Sequence, residues 1–261
     1  MLNKQNKLLF SIFVLSMSGC SFANQDHELQ DKYAQSLGEK ILIHMDLETM
    51  FPSEKLRTLA NAAGKGQIST VDKLLRQGVD INSKGTENAT VLFWSMRNET
   101  GFNHLLEMGA DPNVVFGDGG SVMHWAARKS DCSMLEAALK HGGNPNLKAG
   151  MYGGSPLFET ITVGNNKGIP ECLKLLLQSG ADINLQDDKG QTILLMAADL
   201  ARFDIVLYLL QQGADITAVD KKNQNLKSLV YSYEGAFKKG SVTEKYWFRV
   251  KNWLDTKKGK E

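Results

Sequence analysis

Five histidines are the side chains best able to bind a metal ion or to transfer protons near neutral pH. They are His27, His44, His104, His124 and His141. No two of them have the spacing by which residues of one helix share a metal ion, and the zinc-protease pattern His-Glu-x-x-His does not occur. The histidines therefore predict neither a metal site nor a catalytic centre.

Two segments, Gly119-Gly120-Ser121 and Gly153-Gly154-Ser155, place a serine after paired glycines, as some hydrolase nucleophiles are placed. Both lack the glycine that follows the serine in Gly-x-Ser-x-Gly. Gly64-Lys65-Gly66 lacks the spacing of a phosphate-binding loop. We interpret all three as turns, and we predict a protein that is not an enzyme, takes no cofactor and has no small-molecule substrate.

The charges of the chain are balanced. Among its 261 residues, 42% are hydrophobic and 23% are charged, an ordinary soluble composition. Without Lys4 and Lys7, which lie in a predicted leader, 28 basic side chains face 29 acidic ones. Phosphate binding needs a clear basic excess, so nucleic acid is not predicted to be a ligand.

One short phrase organises the chain: a glycine, a small or apolar residue, and then an Asp or Asn. It occurs at Gly78, Gly109, Gly142, Gly180 and Gly213, at intervals of 31, 33, 38 and 33 residues. In the most regular stretch, residues 178–216, we predict one helix over 193–200 and a second over 205–211 that ends at a left-handed glycine. The leucine pairs before three of these glycines are predicted core residues: Leu74, Leu75, Leu176, Leu177, Leu209 and Leu210.

A 33-residue period with a turn and two helices resembles the ankyrin repeat. Residues 192–198, TILLMAA, stand where that family has Thr-Pro-Leu-His-x-Ala, and His124 occupies its histidine position. In the family this histidine forms hydrogen bonds between neighbouring turns. The resemblance covers residues 52–220 and implies an all-α solenoid of about five units, with no sheet beyond short turn hairpins.

Residues outside the repeats are predicted to cap them, because the ends of a solenoid must cover apolar surface. Residues 31–51 form the expected N-terminal capping helix. Residues 221–261 contain two expected helices, over 225–237 and 242–254, and a solvated tail. Their aromatics could form a ligand-binding patch, but we favour packing against the last repeat: Tyr231, Tyr233, Phe237, Tyr246, Trp247, Phe248 and Trp253.

Cys132 and Cys172 could form a disulfide in an oxidising compartment. They fall, however, at non-equivalent positions of outer helices in neighbouring units, and packed helices lie about 8–10 Å apart, beyond the usual Cα separation of bonded cysteines. We therefore expect buried free thiols.

Residues 1–19 have a basic start and a ten-residue apolar run, too short to span a bilayer, and are predicted to be a signal peptide. Met17-Ser18-Gly19-Cys20 resembles a bacterial lipobox. This resemblance implies a lipid anchor on Cys20, a tether over residues 20–30, and a location in the periplasm, with the outer membrane favoured by Ser21. A plain secretory leader is the alternative. Starts at Met45 or Met50 would give a cytosolic form.

The resemblance also implies a binding surface, because ankyrin units present turn tips and one side of the first helix to partners. Trp94 and Trp125 fall in register there, with Arg97 and Arg128 one helical turn further on. Further candidates are Met196 on a first helix and two aromatic residues at turn tips, Phe116 and Tyr152. The alternative is that the tryptophans fold into the repeat core.

A lipid-anchored periplasmic chain of ankyrin type resembles the immunity proteins that accompany phospholipase effectors of the type VI secretion system. This resemblance implies a lipase effector as the protein partner, neutralised at the membrane. The alternative is a periplasmic scaffold, or an accessory protein of envelope or oxidative stress. A neighbouring lipase gene would favour the first hypothesis, and a neighbouring stress gene the second.

Overall fold

The periodic glycines mark the ends of successive helix pairs, as the sequence predicted. The structure is a computed structural model that describes residues 46–117, 119–149, 153–161 and 168–257. Within these residues it contains thirteen α-helices, a 3₁₀ turn at Thr86–Asn88 and no β-strand. The predicted all-α class is confirmed.

Ten of the helices form five pairs, here called repeats 1 to 5, with an inner helix followed by an outer helix. The pairs are α2 Glu54–Gly64 with α3 Ile68–Arg76, α4 Val91–Ser95 with α5 Glu99–Glu107, α6 Val122–Ala127 with α7 Ser133–Lys140, α8 Pro156–Glu159 with α9 Glu171–Gln178, and α10 Ile193–Asp199 with α11 Phe203–Gln211. Before them lies α1, Leu47–Met50, and after them lie α12, Leu226–Ser232, and α13, Val242–Lys257.

Hydroxyl side chains start three of the inner helices. Thr90, Ser121 and Thr192 each stand at the N-cap and accept a hydrogen bond from the backbone N–H three residues later. Such a cap satisfies one of the N–H groups that lack a partner within the helix. These hydroxyls therefore fix where the inner helices begin.

The outer helices end at the five periodic glycines, whose φ angles lie between 81° and 91°. At Gly213, for example, the backbone N–H donates to Leu210 O (3.2 Å) and that of Ala214 donates to Leu209 O (3.0 Å). This is the pairing of a Schellman cap, which needs a left-handed residue. A side chain at Gly213 would meet open space, so its backbone angle, and not crowding, requires the glycine.

Turns between repeats contain isolated antiparallel bridges instead of sheets. These bridges join Lys84 to Thr90, Ala149 to Gly154, and Val219 to Asn225. They agree with the expected short turn hairpins.

An asparagine ladder joins the turn tips of successive repeats. Asn113 Nδ2 donates to Gly142 O at 2.9 Å, and Asn113 Oδ1 accepts from Asn144 N at 2.7 Å. One side chain thus binds both a carbonyl and an N–H of the next tip. Because the amide must face both groups at once, it fixes the position of one tip relative to the other.

The same contact recurs along the stack. Asn82 and Asn146 each make both bonds to the following tip, and Asn184 accepts from Asp215 N at 2.8 Å. In repeat 5 the position is occupied by Thr217, whose N and Oγ1 both donate to Asp215 Oδ1, at 2.8 and 2.7 Å. The ladder therefore connects the five tips. At the last tip, the Thr217 side chain bonds within its own turn instead of to a following repeat.

The leucines before the tip glycines contribute unequally to the core. Leu176 and Leu209 are 0% exposed, as predicted. The other four, Leu74, Leu75, Leu177 and Leu210, are half-buried. In repeats 4 and 5, the first leucine of the pair is thus fully covered by neighbouring helices, and the second lies at the edge of the core.

The ends of the stack are described in part. The expected leader, Cys20, the tether and residues 31–45 of the expected N-terminal cap lie outside the described residues, as does the tail from residue 258. After repeat 5, Trp247 is buried and donates from Nε1 to Val230 O at 2.7 Å, and Phe203 of repeat 5 packs edge-on against Tyr233 and Phe237. Three of the seven C-terminal aromatics, Tyr233, Phe237 and Trp247, therefore pack as a cap would.

The expectation of free thiols at Cys132 and Cys172 is wrong. The two cysteines form a disulfide between repeats 3 and 4, with their Cα atoms 5.4 Å apart. Cys132 precedes α7 as its N-cap residue and Cys172 lies in the first turn of α9. The distance between packed helix axes does not apply to helix ends, where the chain turns, so positions that differ between two repeats can still meet.

Replacing Asn113 with Ala should lower the free energy of unfolding by about 2 kcal/mol, because it removes two inter-repeat hydrogen bonds of about 1 kcal/mol each. Urea denaturation measures this loss. Thr217→Ala is the matched control, since that side chain bonds within its own tip. Equal losses in the two variants would contradict a role for the ladder in stacking.

Replacing both Cys132 and Cys172 with Ser should cost about 3–4 kcal/mol, because the bond closes a loop of 40 residues. A reducing agent should lower the denaturation midpoint of the wild-type protein to that of the double variant. The same agent should leave the double variant unchanged. A wild-type midpoint that is insensitive to full reduction would show that the bond adds no stability.

Candidate partner-binding surface

His124 has a structural position. Its Nε2 donates to Gly154 O of the next turn at 3.1 Å, and Ser121 Oγ lies 2.8 Å from its Nδ1. Since a carbonyl oxygen only accepts, Nε2 carries the proton and Nδ1 accepts from the serine hydroxyl. The imidazole is buried, so it holds two turns together, as the resemblance implied.

Trp94 on inner helix α4 and Arg97 in the turn that follows this helix form one unit. The Arg97 guanidinium lies 3.7 Å from the centre of the Trp94 ring, and Arg97 Nη1 donates to Trp94 O at 3.0 Å. Burial lowers the pKa of Arg97 below its ordinary value, and the side chain remains charged at neutral pH. This contact fixes the position of the Arg97 cation relative to the aromatic face of Trp94.

The other contacts of Trp94 are with the preceding part of the stack. Phe51 packs edge-on against its ring at 6.4 Å, and a Cβ at Gly64 would come within 2.9 Å of its Nε1. The indole is half-buried. It is thus neither a core residue nor a freely exposed one.

Trp125 on α6 and Arg128, the C-cap residue of that helix, repeat this arrangement. The Arg128 guanidinium lies 4.9 Å from the Trp125 ring, and Arg128 Nε donates to Glu159 Oε2 at 2.6 Å. Glu159 belongs to inner helix α8 and is only 8% exposed. Phe93 packs against the Trp125 ring at 6.1 Å. This second pair therefore contacts the repeats on both sides, repeat 2 through Phe93 and repeat 4 through Glu159.

Phe116 was predicted to be an exposed anchor at a turn tip, and that prediction is wrong. Its side chain is 7% exposed and its ring lies 4.6 Å from Phe93 in the core of repeat 2. The tip folds back because Phe116 N donates to Gly120 O at 2.8 Å. The exposed apolar residue of this tip is its neighbour Val115.

The remaining predicted residues are Met196 and Tyr152. Met196 is half-buried on α10 of repeat 5. Tyr152 lies outside the described residues.

We use the name concave line for the row of side chains that the inner helices of the repeats present at equivalent positions. The sign of the charged side chains in this row changes along the stack. At the position of Arg97 and Arg128, repeat 5 has Asp199. Repeats 2 and 3 thus present tryptophan with arginine, whereas repeat 5 presents the exposed Asp199. Glu159 of repeat 4 is buried and paired with Arg128. A partner that matches this surface carries carboxylates toward repeat 2 and cations toward repeat 5.

Sequence reasoning missed three features of this surface and its support. The disulfide left no readable signal because it joins non-equivalent positions. The Arg128–Glu159 ion pair joins neighbouring repeats across a 31-residue separation. The asparagine ladder did leave a signal: Asp-x-Asn or Asn-x-Asn follows four of the five tip glycines.

The described residues contain no cluster of three or more His, Cys, Asp or Glu side chains suited to hold a metal ion. Within the same part of the chain, every helix is too short or too polar to cross a bilayer. What the concave line offers chemically is a fixed set of aromatic and charged groups, the kinds of side chain that dominate protein interfaces.

Comparison with known proteins agrees with this geometry. The family model described as "Ankyrin repeats (3 copies)" matches residues 59–149 and 123–220, which together span more than half of the 261 residues. The matched range closely follows the predicted repeats at 52–220.

The curated relatives include a bacterial protein and proteins of plants and animals. Protein PhlB of Serratia liquefaciens is 29% identical over 170 residues, which cover 64% of this chain and 70% of PhlB. E3 ubiquitin-protein ligase KEG of Arabidopsis thaliana and SH3 and multiple ankyrin repeat domains protein 1 of Mus musculus are each 34% identical, over 38% and 48% of this chain. The matched region covers only 6% of either of these two proteins.

Replacing Arg128 with Met should lower the free energy of unfolding by about 2 kcal/mol, because it removes a charged hydrogen bond from the mostly buried carboxylate of Glu159. Chemical denaturation measures the change. Arg97→Met is the matched control and should cost about 1 kcal/mol or less, since Arg97 stacks on Trp94 and bonds a backbone carbonyl. If both variants lose the same free energy of unfolding, the Arg128–Glu159 ion pair does not stabilise the fold more than the Arg97–Trp94 contact does.

Proposed function

This chain belongs to the ankyrin-repeat family, and we propose that it is a membrane-anchored periplasmic immunity protein that binds and neutralises a phospholipase effector of type VI secretion. Ankyrin repeats are protein–protein interaction modules. The finer proposal adds the identity of the partner, the compartment and the anchor on Cys20.

The observation that carries the proposed binding is the pair of tryptophan–arginine stacks on adjacent inner helices. Both tryptophans are half-buried against the preceding repeat, and each has an arginine laid over its ring. Side chains already held in one conformation lose little conformational entropy when a partner covers them. Tryptophan and arginine are also the residues most enriched at interface hot spots.

The disulfide supports the proposed compartment. Such bonds persist in the bacterial periplasm and are rare in a reducing cytosol. The Cys132–Cys172 bond joins repeats 3 and 4, as the Arg128–Glu159 ion pair does, so oxidation stabilises the part of the stack that carries the second tryptophan–arginine pair. The proposed leader and lipobox on residues 1–20 point to the same compartment.

The protein would neutralise the effector by covering it with this surface. A rigid stack that covers an enzyme needs no chemistry of its own, because it excludes substrate by volume. A lipid anchor holds the stack at the membrane face where a lipase acts, which raises the effective concentration of the inhibitor at that place without altering the contact.

Survival of sibling cells tests this function. A strain without the gene should be killed by wild-type siblings that secrete the effector, and wild-type protein should restore survival. The variant Trp94→Ala/Trp125→Ala should fail to restore it at equal protein level, because loss of a hot-spot aromatic costs about 2 kcal/mol, or about thirtyfold in affinity.

A matched variant separates binding from stability. Phe102→Leu alters a fully buried residue of outer helix α5 and should lower the melting temperature without touching the concave line, so it should restore survival. If Phe102→Leu fails as the tryptophan variant does, the effect is one of folding. If the deletion strain survives its siblings and is sensitive only to envelope or oxidative stress, the immunity proposal is wrong and the scaffold alternative stands.

A further inference from the structure

Helix α13 exposes two large apolar side chains on the side that faces away from the repeats. Val242 is 69% exposed and Phe248 is 47% exposed. On its other side, Trp247 and Val250 are buried against the preceding helices. The cap therefore has a packed side, which completes the stack, and an uncovered side with apolar groups of its own.

Basic side chains surround these two apolar residues. Lys245 and Arg249 are exposed and lie three and seven residues after Val242, on the same side of the helix. Lys238 and Lys239 are exposed in the turn that leads into α13. We call these six residues the C-terminal patch: Lys238, Lys239, Val242, Lys245, Phe248 and Arg249.

The charge of this segment departs from that of the chain. Residues 235–254 carry five basic side chains and one acidic one, whereas the whole chain has 30 and 29. The acidic residue, Glu244, is half-buried and accepts a hydrogen bond from Gly240 N at 2.5 Å. The fifth basic residue, Lys251, pairs with Glu234 at 3.1 Å and lies over the Tyr231 ring. Beside the patch, Asp255 accepts a hydrogen bond from Tyr231.

We propose that the C-terminal patch docks onto an anionic lipid bilayer, with α13 lying parallel to the membrane surface. Four cations complement acidic headgroups, and Val242 and Phe248 enter the boundary between headgroups and acyl chains. Nucleic acid would match the cations but would leave Val242 and Phe248 in water. A second copy of the chain would match the apolar residues but would bring the four cations together.

This contact is independent of the proposed lipid anchor on Cys20 and of the identity of the protein partner. It would hold the C-terminal end of the stack at the membrane surface in addition to that anchor. Docking through the end of the stack also leaves the inner helices of repeats 2 to 5 uncovered by the membrane.

Vesicle co-sedimentation of the full chain carrying Cys20→Ala, which cannot be acylated at that residue, tests the proposal. Vesicles of phosphatidylcholine with about one third phosphatidylglycerol should bind the protein more tightly than vesicles of phosphatidylcholine alone, and salt should weaken the binding. Lys245→Gln/Arg249→Gln should lose about thirtyfold in affinity, about fivefold for each cation removed near the surface. Val242→Ser/Phe248→Ser should lose about tenfold.

Two control variants carry the same Cys20→Ala change and the same N-terminal residues as the patch variants. Each control alters side chains of the same kind outside the C-terminal patch. Lys73→Gln/Arg76→Gln removes two exposed cations from outer helix α3, and Met108→Ser/Val115→Ser removes two exposed apolar residues from repeat 2. Both should bind vesicles as the parent does.

Four results would overturn the proposal. The first is equal binding of the parent to neutral and anionic vesicles. The second is binding by both patch variants that equals that of the parent. The third is a loss of binding in the matched variants equal to that in the patch variants. The fourth is a dimer of the parent in sedimentation velocity that Val242→Ser/Phe248→Ser converts to a monomer, which would assign the patch to a second copy.

Discussion

The asparagine side chain that joins one turn tip to the next is the contact on which the rest of this structure depends. A single pair of short helices cannot bury its own apolar face, so each repeat is stable only when the next one covers it. Asn82, Asn113 and Asn146 bind both a carbonyl and an N–H of the following tip. This double contact fixes the position of the next repeat, and the hydrophobic core packs between helices in that register.

The arrangement of the concave line follows from that register. Trp94 and Trp125 occupy the same position in consecutive inner helices, and each has an arginine from the next turn over its ring. The longest interval between tip glycines, 38 residues, separates repeats 3 and 4. There the stack has three further contacts: the disulfide, the Arg128–Glu159 ion pair and the hydrogen bond from His124 to Gly154. Among the described residues, the repeat pair with the least regular spacing is thus the one that a covalent bond joins.

The sequence predicted the features that depend on local periodicity and failed where long-range geometry decides. The glycine intervals predicted five helix pairs, because a left-handed cap is needed at each outer helix end. Phe116 was misplaced because its tip folds back onto Phe93, and nothing in the local pattern marks that fold. The cysteine pairing was missed because an insertion shifts the repeat positions, so equivalence in sequence no longer predicts proximity. The tryptophan register was readable, whereas their half-burial depended on Phe51, Gly64 and Phe93 of the preceding turns.

We propose that a protein partner covers the inner helices of repeats 2 and 3. Hydrogen–deuterium exchange of the protein alone and in complex with a captured phospholipase tests this directly. We predict slower exchange on binding in Val91–Ser95 and Val122–Ala127, with no change in the outer helices Glu99–Glu107 and Ser133–Lys140. Protection confined to the outer helices, with unchanged exchange in the inner ones, would contradict it.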